Sequence, residues 1–157
     1  MKTAYIALGA NLPSQAGTPR QTLDAAVARL GELGTLVAHS SYYATDPVGY
    51  ADQPTFLNAA AALQTDLEPE ALLERLLAIE RSFGRDRSHG ILNGPRTLDL
   101  DLLLYGDRIL TTPALQLPHP RMAERAFVLI PLAEIAPDLI HPLLQKSMKQ
   151  LLQELKP

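Results

Sequence analysis

Apolar residues along this chain follow two rhythms. Between Leu98 and Leu102 they alternate with acids: Leu98, Leu100 and Leu102 fall on one face of an extended strand, and Asp99 and Asp101 on the other. Over Leu23, Ala26, Val27 and Leu30, and again over Leu72, Leu73, Leu76, Leu77 and Phe83, they recur at helical spacing. The first helix is expected to start at Thr18, an N-cap followed by Pro19, and to run to about Leu33, where Gly31 and Gly34 end it. The second starts at Glu68-Pro69 and runs to about Phe83. Glu80 lies on its apolar stripe, four residues after Leu76, and is either at the stripe's edge or aimed into a site between helix and sheet.

Other strands are read from β-branched and aromatic content and from breakers. Tyr5-Ile6-Ala7-Leu8 forms a short buried strand that Gly9-Ala10-Asn11 stops. Residues 35–45 are extended up to Asp46-Pro47-Val48-Gly49, and in residues 56–65 the small side chains of Ala59 and its neighbours suit a central strand packed closely by helices. Tyr105-Gly106-Asp107-Arg108 reads as a hairpin turn. Pro113, Pro118, Pro120, Pro131, Pro137 and Pro142 are expected to keep the remainder in short pieces, with Leu151 and Leu152 in a terminal helix. The order strand, helix, strand, strand, helix, strand predicts an α+β fold, a ferredoxin-like βαββαβ sandwich. Its helices pack on one face of an antiparallel sheet, with a C-terminal extension elsewhere.

Composition narrows the field. The 157 residues are expected to form a single domain, and 46% apolar with 20% charged content is globular. A net charge of −3 and few aromatics argue against nucleic acid as a partner. The absence of cysteine excludes a disulfide framework, a thiolate metal site and a cysteine nucleophile. The first residues are too short an apolar run for a signal peptide, and no segment approaches a membrane span. A cytoplasmic protein with no membrane partner is expected.

The candidate chemistry centres on Asp99 and Asp101. Their Cα atoms are roughly 7 Å apart at about 3.3 Å per residue, close enough for the side chains to share one divalent ion or hold two. A solvated strand face is the plainer alternative. Just ahead, Gly94-Pro95-Arg96 presents an arginine, and hard oxygen ligands beside a guanidinium suggest Mg²⁺ and phosphate. Arg85, Arg87, Arg121 and Arg125 also flank this strand in sequence; each alone reads as solvated charge, whereas together they suit a polyphosphate. His119 lies in the rigid segment Leu117-Pro118-His119-Pro120-Arg121, while His39, His89 and His141 read as surface or capping residues. There is no P-loop motif.

Taken together, AYIALGANL, QPTFLNA, IERSFGRDR, GPRTLDLDLLLY and LPHPRMAERAFVLIPLAEIAP resemble the 6-hydroxymethyl-7,8-dihydropterin pyrophosphokinases of folate biosynthesis, over nearly the whole chain. The resemblance implies transfer of a pyrophosphoryl unit from ATP to the pterin's hydroxymethyl oxygen with release of AMP, the reaction using two bound Mg²⁺ ions; a monomer is expected. It implies that Asp99 and Asp101 hold both metals and that Arg85 and Arg96 contact the phosphates and stabilise the transferring group. Arg87, His119, Arg121 and Arg125 are implied around the nucleotide, with Leu73, Glu80 and Leu102 near its adenosine. It places the pterin between Phe56 and Phe127, with Asn58 on its amide edge beside backbone groups of Thr45, Pro47 and Val48. Residues 9–19, 48–55 and 86–93 are the implied loops that close over substrates. The chain departs from the family's frequent pattern at Asn93, where many members carry tryptophan, and at Ser88 and His89, where many carry a further basic residue.

Two other readings compete. A nucleotidyltransferase also places Asp-x-Asp on a strand, but would need a third acid and typically a Gly-Ser loop, neither of which is evident. A ferredoxin-like sheet can also serve as a small-ligand regulatory module or an RNA binder. RNA binding by the sheet wants exposed aromatics and a basic face, where this chain has Asp99 and Asp101.

Overall fold

The structure is a computed structural model and describes residues 1–45, 54–84 and 97–155. It is a mixed α/β fold built on an antiparallel sheet. The elements are β1 (Lys2–Ala10), α1 (Pro19–Leu30), β2 (Thr35–His39), β3 (Tyr43–Thr45), β4 (Phe56–Thr65), α2 (Pro69–Ser82), β5 (Asp99–Tyr105), β6 (Leu110–Thr111), β7 (Gln116–Leu117), α3 (Ala126–Ile135) and α4 (Met148–Leu155). The main sheet runs β2-β4-β1-β5, with β3 also paired to β4, and every pairing in it is antiparallel.

The two faces of the sheet bury two different helix layers. Ala4, Ile6 and Leu8 of β1, Leu98, Leu100 and Leu102 around β5, and Ala59, Ala61 and Leu63 of β4 pack with Leu23 and Leu30 of α1 and Leu72 and Leu76 of α2. On the opposite face Ala60, Leu103 and Leu104 pack with Val128, Leu129 and Leu132 of α3 and Met148 and Leu151 of α4. The C-terminal extension is thus the second layer. Ala59, Ala60, Ala61 and Ala62 are all buried, because β4 is covered from both sides and only methyl groups fit under helices so close.

Local chemistry explains the element ends. Thr18 caps α1 reciprocally: its hydroxyl accepts from Gln21 N at 3.3 Å and the Gln21 side chain accepts from Thr18 N at 2.9 Å. The helix stops at Leu30 rather than near Leu33, since Glu32 N and Leu33 N donate three residues back, to Arg29 O and Leu30 O, in a tightened last turn. Strand β1 does not stop at Gly9 as the breaker pattern predicts; Gly9 and Ala10 stay inside it, paired with Asn58 and Leu57. The turn at 105–108 forms, with Arg108 N donating to Tyr105 O at 3.0 Å, but the chain leaving it pairs β6 with β7 instead of returning along β5. Pro131 does not break the chain: it is buried inside α3, where the packing of Val128, Leu129 and Leu132 on the sheet outweighs the ladder hydrogen bond that Pro131 cannot donate.

Two further ties hold the second layer. Glu134 of α3 accepts from Ser41 N at 3.1 Å and from the Tyr43 hydroxyl at 2.5 Å, clamping the helix to the link between β2 and β3. This contact holds the Glu134 carboxyl below the usual range and pushes the Tyr43 phenol up. Beyond α3, buried His141 accepts from Leu143 N and Leu144 N through Nδ1, and burial lowers its pKa. Among the described residues, no helix is long and apolar enough to cross a membrane.

Candidate active site

Strand β5 turns the leucine-acid alternation into geometry. Leu98, Leu100 and Leu102 enter the α1/α2 layer, which forces Asp99 and Asp101 to the other face. That face is the α3 side. The alternation breaks at Leu103: Tyr5 pairs with Leu104 and Ile6 with Leu102, so one extra residue bulges from β5. Both Leu103 and Leu104 consequently join the α3/α4 layer, and the bulged Leu103 offers its carbonyl to His119 N at 2.9 Å. The bulge therefore binds the 117–121 segment to the strand that carries the acids.

Strand register lays two rows across the site. Asn58, Gly9 and Asp99 are cross-strand partners on β4, β1 and β5, and Ala60, Ala7 and Asp101 form the next row. Two strand spacings of about 4.8 Å put Asn58 and Asp99 roughly 10 Å apart at their Cα atoms. Between them β1 contributes only a hydrogen and a methyl group, so the floor is backbone. A pocket forms there, lined by Ala7, Leu8, Gly9, Asn58, Asp99, Asp101, Phe127 and Val128. The start of α3 supplies Phe127 as one wall. Phe56 shares the face of Asn58 by the two-residue period of β4 and pairs with Thr45 of β3.

Polar side chains in the pocket and around it are oriented. Buried Asn58 donates from Nδ2 to Thr45 Oγ1 at 2.5 Å, leaving its carbonyl oxygen on the β1 side. Asn11, also buried, donates to Pro54 O at 2.9 Å and so joins the end of β1 to the approach to β4. Half-buried His119 accepts from Arg121 N through Nδ1 at 3.2 Å, which leaves Nε2 to carry the proton of a neutral ring. Burial lowers its pKa first and Arg125 and Arg121 lower it further, against the opposing pull of Asp99. The Arg125 guanidinium lies 5.5 Å from the centre of the Phe127 ring. The acid pair therefore lies at one end of the row and the Asn58 amide at the other, with Phe127, beside Arg125, as a wall shared by both.

Glu80 goes between helix and sheet rather than to the edge of its stripe. It is 1% exposed, and its Oε2 accepts from Leu100 N at 2.6 Å, on the residue between the two aspartates. Among the described residues strand β5 ends the sheet order, and this carboxyl group covers an amide on that edge. Leu73 is half-buried on α2, and Leu102 is buried in the α1/α2 layer, so both lie off the face that carries the acid pair. Pro47, Val48, Arg85, Arg87 and Arg96, the implied loops 48–53 and 86–93, and the departures at Ser88, His89 and Asn93 lie outside the described residues. In the other implied loop, Ser14 and Gly17 exchange backbone hydrogen bonds of 2.9 and 3.0 Å. Sequence reasoning missed the floor, Ala7 and Gly9; their two-residue spacing ahead of a polar turn was the available signal.

Among the described residues no group of three or more His, Asp or Glu gathers as a metal site. The donor set still fits Mg²⁺, which uses one or two carboxylates and completes its shell with water and substrate phosphate oxygens.

The chain is similar to known proteins in sequence and in fold. A family model described as 7,8-dihydro-6-hydroxymethylpterin-pyrophosphokinase (HPPK) matches residues 5–137. A Pseudomonas aeruginosa protein named 2-amino-4-hydroxy-6-hydroxymethyldihydropteridine pyrophosphokinase is 49% identical over 144 residues, covering 90% of this chain and 85% of the relative. A Bacillus subtilis protein of the same name is 49% identical over 134 residues, covering 84% and 77%. Among solved structures, the Plasmodium falciparum HPPK-DHPS A437G crystal structure superposes with a TM-score of 0.76 at 16% identity, over 98% of this chain and 45% of that longer one. This last likeness concerns the fold.

Proposed function

Because the chain belongs to the 7,8-dihydro-6-hydroxymethylpterin-pyrophosphokinase family, we propose that the Asn58–Gly9–Asp99 row is the axis along which it joins its two substrates. The enzyme transfers pyrophosphate from ATP to the hydroxymethyl group of 6-hydroxymethyl-7,8-dihydropterin in folate biosynthesis. The pterin oxygen attacks the β-phosphorus, the bond from that phosphorus to the α-bridging oxygen breaks, AMP leaves and the hydroxyl proton is lost.

The observation that carries the reading is the placement of Asn58 and Phe127 in one pocket with Asp99 and Asp101. The pterin is assigned to the Asn58 end, its amide edge on Asn58 and the backbone of Thr45, Pro47 and Val48, its ring between Phe56 and Phe127. A flat heteroaromatic ring needs such apolar faces and a fixed polar edge. Asp99 and Asp101 are assigned two Mg²⁺ ions, which when bound would neutralise and orient the phosphate oxygens. His119, as a neutral Nε2–H donor, and Arg121 and Arg125 face the developing charge from the described side, and Arg85, Arg87 and Arg96 are assigned to the same phosphates. The adenosine is assigned to the β5 edge beside α2, near Leu73, Glu80 and Leu102. The element order, with β2 and β3 taken as one interrupted strand, supports the ferredoxin-like βαββαβ arrangement.

Incubation with the reduced pterin, ATP and Mg²⁺ is expected to yield AMP in equal amount to pyrophosphorylated pterin, and none when pterin or metal is left out. ADP or free pyrophosphate as the product would contradict the assignment.

A further inference from the structure

The row that joins the two ends of the pocket passes through a residue without a side chain. A β-carbon placed on Gly9 would lie 3.0 Å from Asn58 Oδ1, with Leu57 O next at 3.7 Å. Carbon and oxygen do not pack so closely in a dense interior unless one of them moves. The backbone gives no reason for glycine here: Gly9 lies within β1 and is not among the positive-φ residues, so any residue could adopt its conformation.

The carboxamide has little freedom to yield. Asn58 is 7% exposed, and its Nδ2 is held by Thr45 Oγ1 at 2.5 Å. Rotating Oδ1 away from a new methyl group would strain or break that bond, and Thr45 itself is fixed opposite Phe56 in the β3–β4 pairing.

We propose that Gly9 is a specificity-determining position of the pterin end, because its missing side chain is the clearance that lets the Asn58 carboxamide keep its Oδ1 on the pocket floor while Thr45 holds its nitrogen. The ligand edge this recognises is a hydrogen-bond donor on a flat ring lying over the β1 backbone. The inference rests on the assignment of Asn58 to the pterin.

The test compares the full chain with Gly9→Ala, Asn58→Ala and the double variant. Equilibrium binding of 6-hydroxymethyl-7,8-dihydropterin is measured in the presence of Mg²⁺ and an ATP analogue carrying a methylene bridge between the α and β phosphorus atoms, and binding of that analogue alone is measured separately. Gly9→Ala is expected to weaken pterin binding about ten-fold, the size of one lost hydrogen bond, with nucleotide binding changed less than about two-fold. In the double variant the added methyl group meets no carboxamide, so binding should equal that of Asn58→Ala alone. If Gly9→Ala folds poorly, recovery of the thermal midpoint in the double variant supports the same contact. Wild-type affinity in Gly9→Ala, or a ten-fold loss added on top of Asn58→Ala, would overturn the clearance while leaving the pterin site standing. Unchanged pterin binding in Asn58→Ala would overturn the pterin assignment itself, and the clearance with it.

Discussion

Replacing Asp99 or Asp101 by alanine is expected to abolish turnover, with kcat lowered at least about 10³-fold, while the protein remains folded. The magnitude follows from what the pair is assigned to do. Pyrophosphoryl transfer requires little covalent chemistry from the enzyme, and most of the rate comes from positioning and from cations matched to the charge on the phosphate oxygens. Two carboxylates on one face of β5, opposite Gly9 and Ala7, are the described groups suited to hold those cations. The expected integrity of the fold has a separate basis. The side chains that anchor β5 are Leu100, Leu102, Leu103 and Leu104, each 3% exposed or less, and they face the two apolar layers. Asp99 and Asp101 are only half-buried and line the pocket, so the two apolar layers keep their contacts without them. Steady-state rates over a Mg²⁺ titration, with thermal unfolding of each variant, check the prediction. Near-normal turnover in both variants would remove the metal assignment.

The next largest effect is expected at Glu80, and it separates two variants that differ by little chemically. Glu80→Ala leaves Leu100 N–H buried without its acceptor and opens a void beside it, a loss of about 2–4 kcal/mol in stability. Glu80→Gln keeps an oxygen that can accept the same hydrogen bond and should cost much less. Because Leu100 lies between Asp99 and Asp101, loosening its amide loosens the spacing of both. Glu80→Ala should therefore need more Mg²⁺ for half-maximal rate, and Glu80→Gln should recover most of that requirement. A rise in thermal lability with an unchanged Mg²⁺ dependence would reduce Glu80 to a core contact.

Much of this site could be read from residue order because it follows strand parity. Leucine at 98, 100 and 102 leaves the acids no choice of face, and the same parity sets Asn58 beside Ala60 and opposite Gly9. The Thr18-Pro19 helix start is equally local, since its capping bonds close within four residues. What was not legible depended on partners distant in sequence. Gly9 looks like a strand breaker until β4 and β5 flank it and extend the ladder to Ala10. Pro131 looks like a terminator until the sheet face pays for α3 through the burial of Val128, Leu129 and Leu132. Three consecutive leucines conceal a bulge, because apolar residues on both faces carry no alternation to read. The destination of Glu80 needed the packing of α2 on β5, which helical spacing alone does not specify.

The proposed function stands on one row of the sheet holding the pterin at Asn58 and the metals at Asp99 and Asp101. The most direct test is a crystal structure with 6-hydroxymethyl-7,8-dihydropterin, Mg²⁺ and the ATP analogue methylene-bridged between its α and β phosphorus atoms, which cannot undergo the transfer. The expected complex has the pterin ring against Phe127 with its amide edge on Asn58, two metal ions at Asp99 and Asp101, and the hydroxymethyl oxygen directed along the row at the β-phosphorus. A pterin bound away from Asn58, or phosphates bound with no metal at the acid pair, would contradict it.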